Sequence, residues 1–225
     1  MTDPDFIITH FYPEDTPLRR LLLRHSTQVR DKALAILANP SRPPLELDAG
    51  LVSTGAMLHD IGILQCHAPS ILCVGTRPYI AHGIIGAEML RDYGRMHGLD
   101  LEPFARICER HTGTGITAKE VREHGLPIPE RDCLPETPEE KLVCLADKFF
   151  SKSGEMKEKS AEAVRRSLEK FGTDTVERFD ALLRLFGLVG PRSAVWPAFF
   201  SFFFKKTFVF LSNPFDFFKK CGNVL

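Results

Sequence analysis

The sequence has no net charge, no Cys-x-x-Cys pair and no unbroken apolar run of the about 20 residues that a membrane-spanning helix requires. Basic and acidic residues number 29 each, so we expect no broad nucleic-acid-binding face. The balanced composition does not exclude a local basic pocket. The six cysteines have no metal-binding or redox spacing, which indicates reduced thiols in a cytoplasmic protein. The acidic N-terminus lacks the apolar segment of a signal peptide.

The C-terminal stretch 191–225 differs in composition from the rest of the chain. It holds ten of the 18 phenylalanines, and Pro197 and the Lys205-Lys206 pair interrupt its apolar character. We therefore expect no transmembrane segment there. A segment that binds a partner or a membrane surface is an alternative that the composition does not exclude. We favour a non-native stretch produced by a frameshift or readthrough, because it has no helical period. The sequence thus predicts one domain over residues 1–190 and an atypical tail over 191–225.

Helical periodicity predicts an all-α fold for nearly all of the remaining chain. Apolar residues recur at helical spacing after Pro17 until about Leu37. Asp48 is a suitable N-cap for a second helix that ends near Leu58. Further helices are predicted over about 79–97, 103–111, 155–171 and 174–186.

Two capping-box patterns predict the starts of two more helices. Thr117 with Glu120 opens a short helix, and Thr137 with Glu140 opens the helix that carries Asp147. Residues 62–78 are rich in glycine and proline, which favours a loop. No segment shows the alternation of a β-strand, and we predict none.

The dipeptide His59-Asp60 ends an apolar helical segment and places an imidazole beside a carboxylate. Both groups are ligands of divalent transition metals. With eight histidines in the chain, such a pair arises by chance often enough that the dipeptide alone predicts no site.

Other potential ligands occupy interior positions on the remaining helices. His25 lies on the apolar face of the first long helix, His82 and His111 lie near helix ends, and Asp147 is surrounded by apolar residues. A single histidine of this kind is more often a hydrogen-bonded core residue, and a single aspartate is more often salt-bridged. A buried carboxylate is costly without a partner, however, and helical proteins build metal sites from side chains that project inward. Six such residues together indicate a metal site.

The ordered set His25, His59-Asp60, His82, His111, Asp147 resembles the HD-domain superfamily of metal-dependent phosphohydrolases. The Leu-His-Asp-Ile-Gly stretch at residues 58–62 resembles its HDIG subgroup of bacterial predicted hydrolases. The resemblance covers about residues 18–186 and implies an all-α HD-domain helical bundle with a five-helix core and an inward-facing metal site.

The resemblance also implies how the metals are held. A first ion would be bound by His25, His59, Asp60 and Asp147, and a second by His82 and His111, with Asp60 bridging the two. Imidazoles mixed with carboxylates suit Fe or Mn, with Zn, Co or Ni as further candidates, better than they suit Mg or Ca.

The implied activity is attack of a hydroxide, held between two metals, on a nucleotide or another small phosphoester. Besides Asp60, we predict catalytic roles for Lys148 and Arg110, which adjoin Asp147 and His111 in the sequence. Each of these basic residues could equally be a solvated surface side chain. The Thr-Gly-Thr-Gly run at 112–115 could bring backbone N–H groups close to an anion. On the 62–78 loop, Arg77 is a weaker candidate for contacting the phosphate from the rim, and His67 is a weaker candidate for a site residue.

Two other functions stay open on the same ligand set, a diiron oxygenase and a non-catalytic binding or regulatory module. The long segment 113–140, stiffened by Pro127 and Pro129, predicts a lid or substrate wall. This segment departs from the compact bacterial dinucleotide hydrolases, which argues against transferring their substrate to this chain. The Gly-Tyr-Pro signature of cyclic-di-GMP phosphodiesterases is absent.

Overall fold

The computed structural model describes residues 3–40 and 42–188, so the predicted tail 191–225 lies outside the described residues. Within them the chain forms nine α-helices, and the predicted all-α class is confirmed. The helices are α1 (Pro4–Phe11), α2 (Pro17–Leu37), α3 (Ala49–Leu58), α4 (His82–His97), α5 (Glu102–Arg110), α6 (Ala118–His124), α7 (Pro138–Lys148), α8 (Ala161–Leu168) and α9 (Thr173–Leu185). No helix of the described ranges has the length and apolarity needed to cross a membrane.

The helix starts follow the capping residues in the sequence. Asp48 accepts hydrogen bonds from the backbone N–H groups of Gly50 and Leu51 at the start of α3. Both predicted capping boxes form, with Thr117 and Thr137 capping α6 and α7. These caps satisfy backbone donors that would otherwise lack partners, and they fix where each helix begins.

Helix α1 was not predicted from the sequence. It has eight residues and buries only Ile7 and Ile8, which is too short for a helical period to be visible. The residue after it, Tyr12, is buried and donates a hydrogen bond of 2.8 Å to the carbonyl of Ile61. Helix α1 therefore supports the backbone that immediately follows the His59-Asp60 pair.

The prediction that no segment forms a strand is wrong for residues 62–78. Three short strands occur there, β1 (Cys66–Ala68), β2 (Cys73–Val74) and β3 (Arg77–Pro78), in the order β2-β1-β3. Strand β1 pairs antiparallel with β2 and parallel with β3, and 3₁₀ turns flank the sheet. Strands of two or three residues are too short to show alternation in a sequence, and local backbone pairing alone defines them.

The apolar interior consists of two clusters that share helices. Helix α2 contributes Leu22 to the first cluster and Val29 to the second, and α3 contributes Leu58 and Ala56 in the same way. His25 lies between Leu22 and Val29 in the sequence and is 1% exposed. The buried polar residues of α2 and α3 thus lie where the two apolar clusters meet.

The segment 113–140 is held against the helices by ion pairs with a buried glutamate. Glu109 of α5 is 4% exposed and forms ion pairs with Arg91 of α4, at 2.8 Å, and with Arg131 of the segment. The segment is thereby fixed beside α5, the helix that ends at His111. Its role as a lid or substrate wall stays a prediction.

Candidate metal centre

Six buried side chains from five helical elements converge at one point of the interior. His25 projects from the middle of α2, His59 and Asp60 follow α3, and His82 begins α4. His111 caps the end of α5, and Asp147 lies in the last turn of α7. None of the six is more than 6% exposed. The structure brings together all six residues that the sequence singled out as ligands.

Asp60 lies at the centre of this cluster. Its Oδ2 atom is 3.2 Å from Nε2 of His25 and 3.2 Å from Nε2 of His59. Its Oδ1 atom is 3.4 Å from Nε2 of His82 and 3.4 Å from Nε2 of His111. Each carboxylate oxygen of Asp60 therefore faces its own pair of imidazoles.

Asp147 lies on one side of the cluster only. Its Oδ1 atom is 2.9 Å from Nε2 of His25 and 3.5 Å from Nε2 of His59. The cluster thus divides into a side formed by His25, His59 and Asp147 and a side formed by His82 and His111, with Asp60 shared between them.

Hydrogen bonds to the backbone orient three of the imidazoles. In each case Nδ1 donates to the carbonyl three residues earlier, in the pairs His59–Ala56 (2.7 Å), His82–Tyr79 (2.7 Å) and His111–Cys108 (2.6 Å). Since a carbonyl only accepts, Nδ1 carries a proton in each ring, and Nε2 keeps a lone pair whenever the ring is neutral. The Nε2 atoms of His82 and His111 lie 3.0 Å apart, so two lone pairs face each other, and a cation is the partner that fits them.

Other polar atoms of the cluster also lack a directed partner. Among the described residues, Nε2 of His59 and both oxygens of Asp60 form no well-directed hydrogen bond. Ligand atoms lie within 4.8 Å of one another in two groups, His25-His59-Asp147 and His59-Asp60-His111. Buried polar atoms without partners are costly. The imidazole and carboxylate donors present here fit divalent transition metal ions.

Burial and charge set the protonation states of the cluster. Burial alone would raise the pKa of Asp60, but the charges of His59 and Lys152 hold that pKa well below its usual value. Burial lowers the pKa of His25 to about 4 and that of His82 to about 3. Burial also acts to lower the pKa of His59, but the carboxylates of Asp60 and Asp147 outweigh it and raise the pKa to about 9. Asp60, His25 and His82 are therefore in metal-binding protonation states at neutral pH, whereas His59 has to release a proton before it can bind a metal.

Two buried lysines neutralise the carboxylates. Nζ of Lys148 is 2.7 Å from Oδ2 of Asp147 and donates to the carbonyl of His111 at 3.3 Å. Nζ of Lys152 is 2.7 Å from Oδ2 of Asp60, close enough for an ion pair although not directed as a hydrogen bond. Lys148 was predicted from the sequence and does reach the cluster.

Lys152 was missed by the sequence analysis, as was the aromatic ring beside it. The Lys152 ammonium lies 6.0 Å from the ring centroid of Tyr79, and that ring stacks on His82 with centroids 4.7 Å apart. Lys152 lies in the loop after α7, where no periodicity shows which way a side chain points. The one available signal was its short distance in sequence from Asp147.

The structure does not bring the remaining candidates to the cluster. Arg110 donates to the carbonyl of Leu134 at 2.8 Å and forms an ion pair with Glu136 at 2.7 Å. His67 and Arg77 are exposed on the small sheet. The catalytic role of Arg110 stays a prediction.

Gly62 sets the distance between the His59-Asp60 turn and helix α4. A Cβ atom at this position would lie 2.1 Å from the carbonyl oxygen of His82 and 2.4 Å from the backbone nitrogen of Gly86. Only glycine lets the two backbones approach this closely. The glycine of the motif therefore places His82 within reach of Asp60.

Residues 22–151 match the family model described as HD domain. The match covers more than half of the 225 residues, so the chain belongs to the HD domain family. The matched range contains all six residues of the cluster.

Known relatives match this region of the chain, but the match covers only part of each relative's own length. An uncharacterized protein of Methanocaldococcus jannaschii is 39% identical over 129 residues, which are 57% of this chain and 66% of that protein. A tRNA (cytidine(56)-2'-O)-methyltransferase of Picrophilus torridus is 37% identical over 131 residues, 58% of this chain and 32% of that protein. The corresponding methyltransferase of Thermoplasma volcanium is 32% identical over 168 residues, 75% of this chain and 42% of that protein. The chain thus spans about a third to two thirds of these relatives.

Among solved structures, the HD domain of the phosphodiesterase PgpH from L. monocytogenes is similar, with a TM-score of 0.44 and 14% identity. The likeness covers 78% of this chain and 97% of that one. The relatives named above are archaeal, and membership of the bacterial HDIG subgroup stays a prediction.

Proposed function

We propose that this chain is a metal-dependent phosphohydrolase that acts on a small phosphorylated substrate, foremost a nucleotide. The observation that carries the proposal is the position of Asp60 between two pairs of imidazoles. Each of its two carboxylate oxygens faces a separate pair of Nε2 atoms at 3.2–3.4 Å. This arrangement is what a carboxylate shared by two cations requires.

On this proposal, His25, His59, Asp60 and Asp147 hold one ion, and His82 and His111 hold a second together with Asp60. The donors favour Fe or Mn. Bound ions would make water a nucleophile at neutral pH and would neutralise charge on the phosphate.

The residues of the chain itself have three tasks. The Nδ1–carbonyl bonds of His59, His82 and His111 hold the rings in one orientation, so no reorganisation is needed when a ligand binds. The apolar clusters on both sides exclude bulk water. The ammonium groups of Lys148 and Lys152 lie beside the carboxylates of Asp147 and Asp60, and on this proposal they attract and orient the phosphate.

The relatives favour a nucleotide over other phosphoesters. Two of the proteins that share this region are named for modifying a tRNA, which is a substrate made of nucleotides. Their methyltransferase activity is not part of the proposal, because this chain matches 32% and 42% of their lengths.

The test is a phosphoester panel with the purified chain, stripped of metal and reloaded with Mn or Fe(II). Dinucleoside polyphosphates, nucleotides and cyclic nucleotides are supplied, and products are separated by chromatography. We expect turnover of at least one substrate with metal, and its loss in His59→Ala and Asp60→Ala. His67→Ala is the matched control, since this exposed histidine lies outside the cluster, and it should keep full activity.

Other outcomes would contradict the proposal. Turnover that consumes O₂ and requires Fe would indicate the diiron oxygenase. Tight binding of a nucleotide without turnover under either metal would indicate a regulatory module.

A further inference from the structure

The hydroxyl group of Tyr79 is a buried polar group beside the cluster of six side chains. Its oxygen, Oη, is shielded from solvent and forms no directed hydrogen bond with the described residues, 3–40 and 42–188. The hydroxyl of Tyr12, in contrast, donates to the carbonyl of Ile61 at 2.8 Å. Buried tyrosine hydroxyls usually have such a partner, because a buried polar group without one is costly. A bound molecule could supply the acceptor that the hydroxyl of Tyr79 lacks.

Contacts with His82 fix the ring of Tyr79 in one orientation. The two rings stack with centroids 4.7 Å apart and an angle of 18° between their planes. The backbone carbonyl of Tyr79 also accepts the hydrogen bond from Nδ1 of His82, at 2.7 Å. A ring that is already ordered loses little further freedom when its hydroxyl binds a ligand. The hydroxyl is thus held in place on the His82 side of the cluster.

The charge beside this hydroxyl indicates which kind of molecule would accept its proton. The ammonium of Lys152 lies 6.0 Å from the ring centroid and interacts electrostatically with the hydroxyl. An ammonium only donates hydrogen bonds, so Lys152 cannot accept the proton of the hydroxyl. Nζ of Lys152 also lies 2.7 Å from Oδ2 of Asp60, at the centre of the cluster. A phosphate attracted by Lys152 would therefore bring acceptor oxygens close to the hydroxyl of Tyr79.

We propose that Tyr79 is a further catalytic residue, whose hydroxyl donates a hydrogen bond to a phosphoryl oxygen of the bound substrate. The proton stays on Tyr79, and no covalent bond of the tyrosine forms or breaks. A hydrogen bond to a charged phosphate is stronger than one between neutral groups, and a donor that is already in place stabilises the transition state without reorganisation. This inference rests on the proposed function for its effect on turnover, but the binding of a phosphate does not require turnover.

The test is the variant Tyr79→Phe, which removes one oxygen and keeps the ring that stacks on His82. Phosphate binding is measured by calorimetric titration of the full, Mn-loaded chain with orthophosphate. Tyr79→Phe is expected to bind orthophosphate about tenfold or more weakly than the native chain, because the lost hydrogen bond is to a charged group. For any substrate of the phosphoester panel that is hydrolysed, kcat/KM is expected to fall by a similar factor. Bound metal is expected to be unchanged.

Tyr93→Phe and Tyr12→Phe are the matched controls, since each also removes a single hydroxyl. Tyr93 lies near the C-terminal end of α4, whereas His82 begins that helix, and its ring packs on His97. Tyr93→Phe should therefore leave phosphate binding unchanged. Tyr12→Phe removes a hydroxyl that has an acceptor, so the melting temperature of the phosphate-free chain should fall. Tyr79→Phe should not lower it, because no hydrogen bond within the described ranges is lost.

Three results would overturn the inference. They are equal phosphate binding by the native chain and Tyr79→Phe, no binding of orthophosphate by the native Mn-loaded chain, and a fall in the melting temperature of Tyr79→Phe as large as that of Tyr12→Phe. Weakened phosphate binding in Tyr79→Phe without turnover of any panel substrate would contradict the proposed function and support Tyr79 as a phosphate ligand. Turnover that Tyr79→Phe leaves unchanged would support the proposed function and contradict the role of Tyr79.

Discussion

At the scale of single residues, local hydrogen bonds orient the side chains of the cluster. Three imidazoles are oriented by carbonyls of their own turns, three residues earlier. The helix ends thus aim Nε2 inward without help from distant side chains. The Nε2 atoms of all four imidazoles lie close to the carboxylate oxygens of Asp60. The proposed function of the site therefore depends on this one carboxylate.

Lys152 provides a test at this scale, because it touches Asp60 but is not a proposed ligand. Lys152→Met removes a buried ammonium that lies 2.7 Å from Oδ2 of Asp60. Bound metal is expected to be retained, since a nearby positive charge does not favour a cation. The value of kcat/KM is expected to fall about tenfold or more, because a group that attracts the phosphate is lost.

Metal content and steady-state kinetics measure the two effects separately. Lys119→Met is the control, since Lys119 is 68% exposed and pairs with Glu123 on α6. Loss of metal together with activity would show that Lys152 supports the metal site instead, and unchanged kinetics would exclude a role in phosphate binding.

The six residues of the cluster were identified in the sequence because each is a polar residue at an interior position of a helix or helix end, and because their order resembles that of HD domains. The charged neighbours were less predictable. Successive residues on a helix point about 100° apart, so Arg110 is directed away from His111 and towards Glu136. Lys148 also adjoins a residue of the cluster in the sequence, and its Nζ does lie 2.7 Å from Oδ2 of Asp147. For Lys152, in a loop, the sequence contained no directional information.

At the scale of secondary structure, the capping residues predicted where helices begin, whereas the shortest elements were not predictable. Thr117 and Thr137 marked α6 and α7 correctly. Helix α1 and the three strands were missed, because two to eight residues show no reliable period. One of the missed elements supports the site, since Tyr12 after α1 bonds the carbonyl of Ile61.

The close approach of the His59-Asp60 turn to α4 gives a second prediction. Gly62→Ala would place a methyl group against the backbone of His82 and Gly86, and backbone cannot move aside as a flexible side chain can. We expect a loss of about 1–3 kcal/mol in the free energy of unfolding. On the proposed assignment of two ions, we also expect loss of the ion assigned to His82 and His111 and retention of the other.

Denaturant unfolding and metal analysis measure these effects. Gly98→Ala is the control, because Gly98 ends α4 with a φ of +65° and open space around it. Its backbone strain is expected to lower stability by about 1 kcal/mol without any change in bound metal. If Gly62→Ala keeps both ions, the proposed spacing role of Gly62 is wrong.

At the scale of the whole molecule, the site lies where two apolar clusters meet. Helices α2, α3 and α5 contribute to both clusters, and they also carry or precede His25, His59, Asp60 and His111. Assembly of the core therefore assembles the site. A ligand that binds only the folded state, such as a metal ion, should in turn stabilise the whole domain.

The boundary predicted at residue 190 is tested by a shortened chain. The described clusters are formed by residues that precede 189. A chain that ends at residue 190 is thus expected to keep the helical circular dichroism spectrum, the melting temperature and the bound metal of the full chain. Aggregation or loss of metal on removal of 191–225 would contradict the predicted division.

The most direct test of the central claim is the number of transition-metal ions bound per chain, measured by mass spectrometry after anaerobic loading with Fe(II) or Mn and removal of excess metal. The native chain is expected to bind about two ions, as a shared carboxylate implies. His82→Ala/His111→Ala is expected to keep about one, and Asp60→Ala is expected to keep at most weakly bound metal. A native chain that binds no metal, or a double variant that loses both ions or neither, would contradict the account.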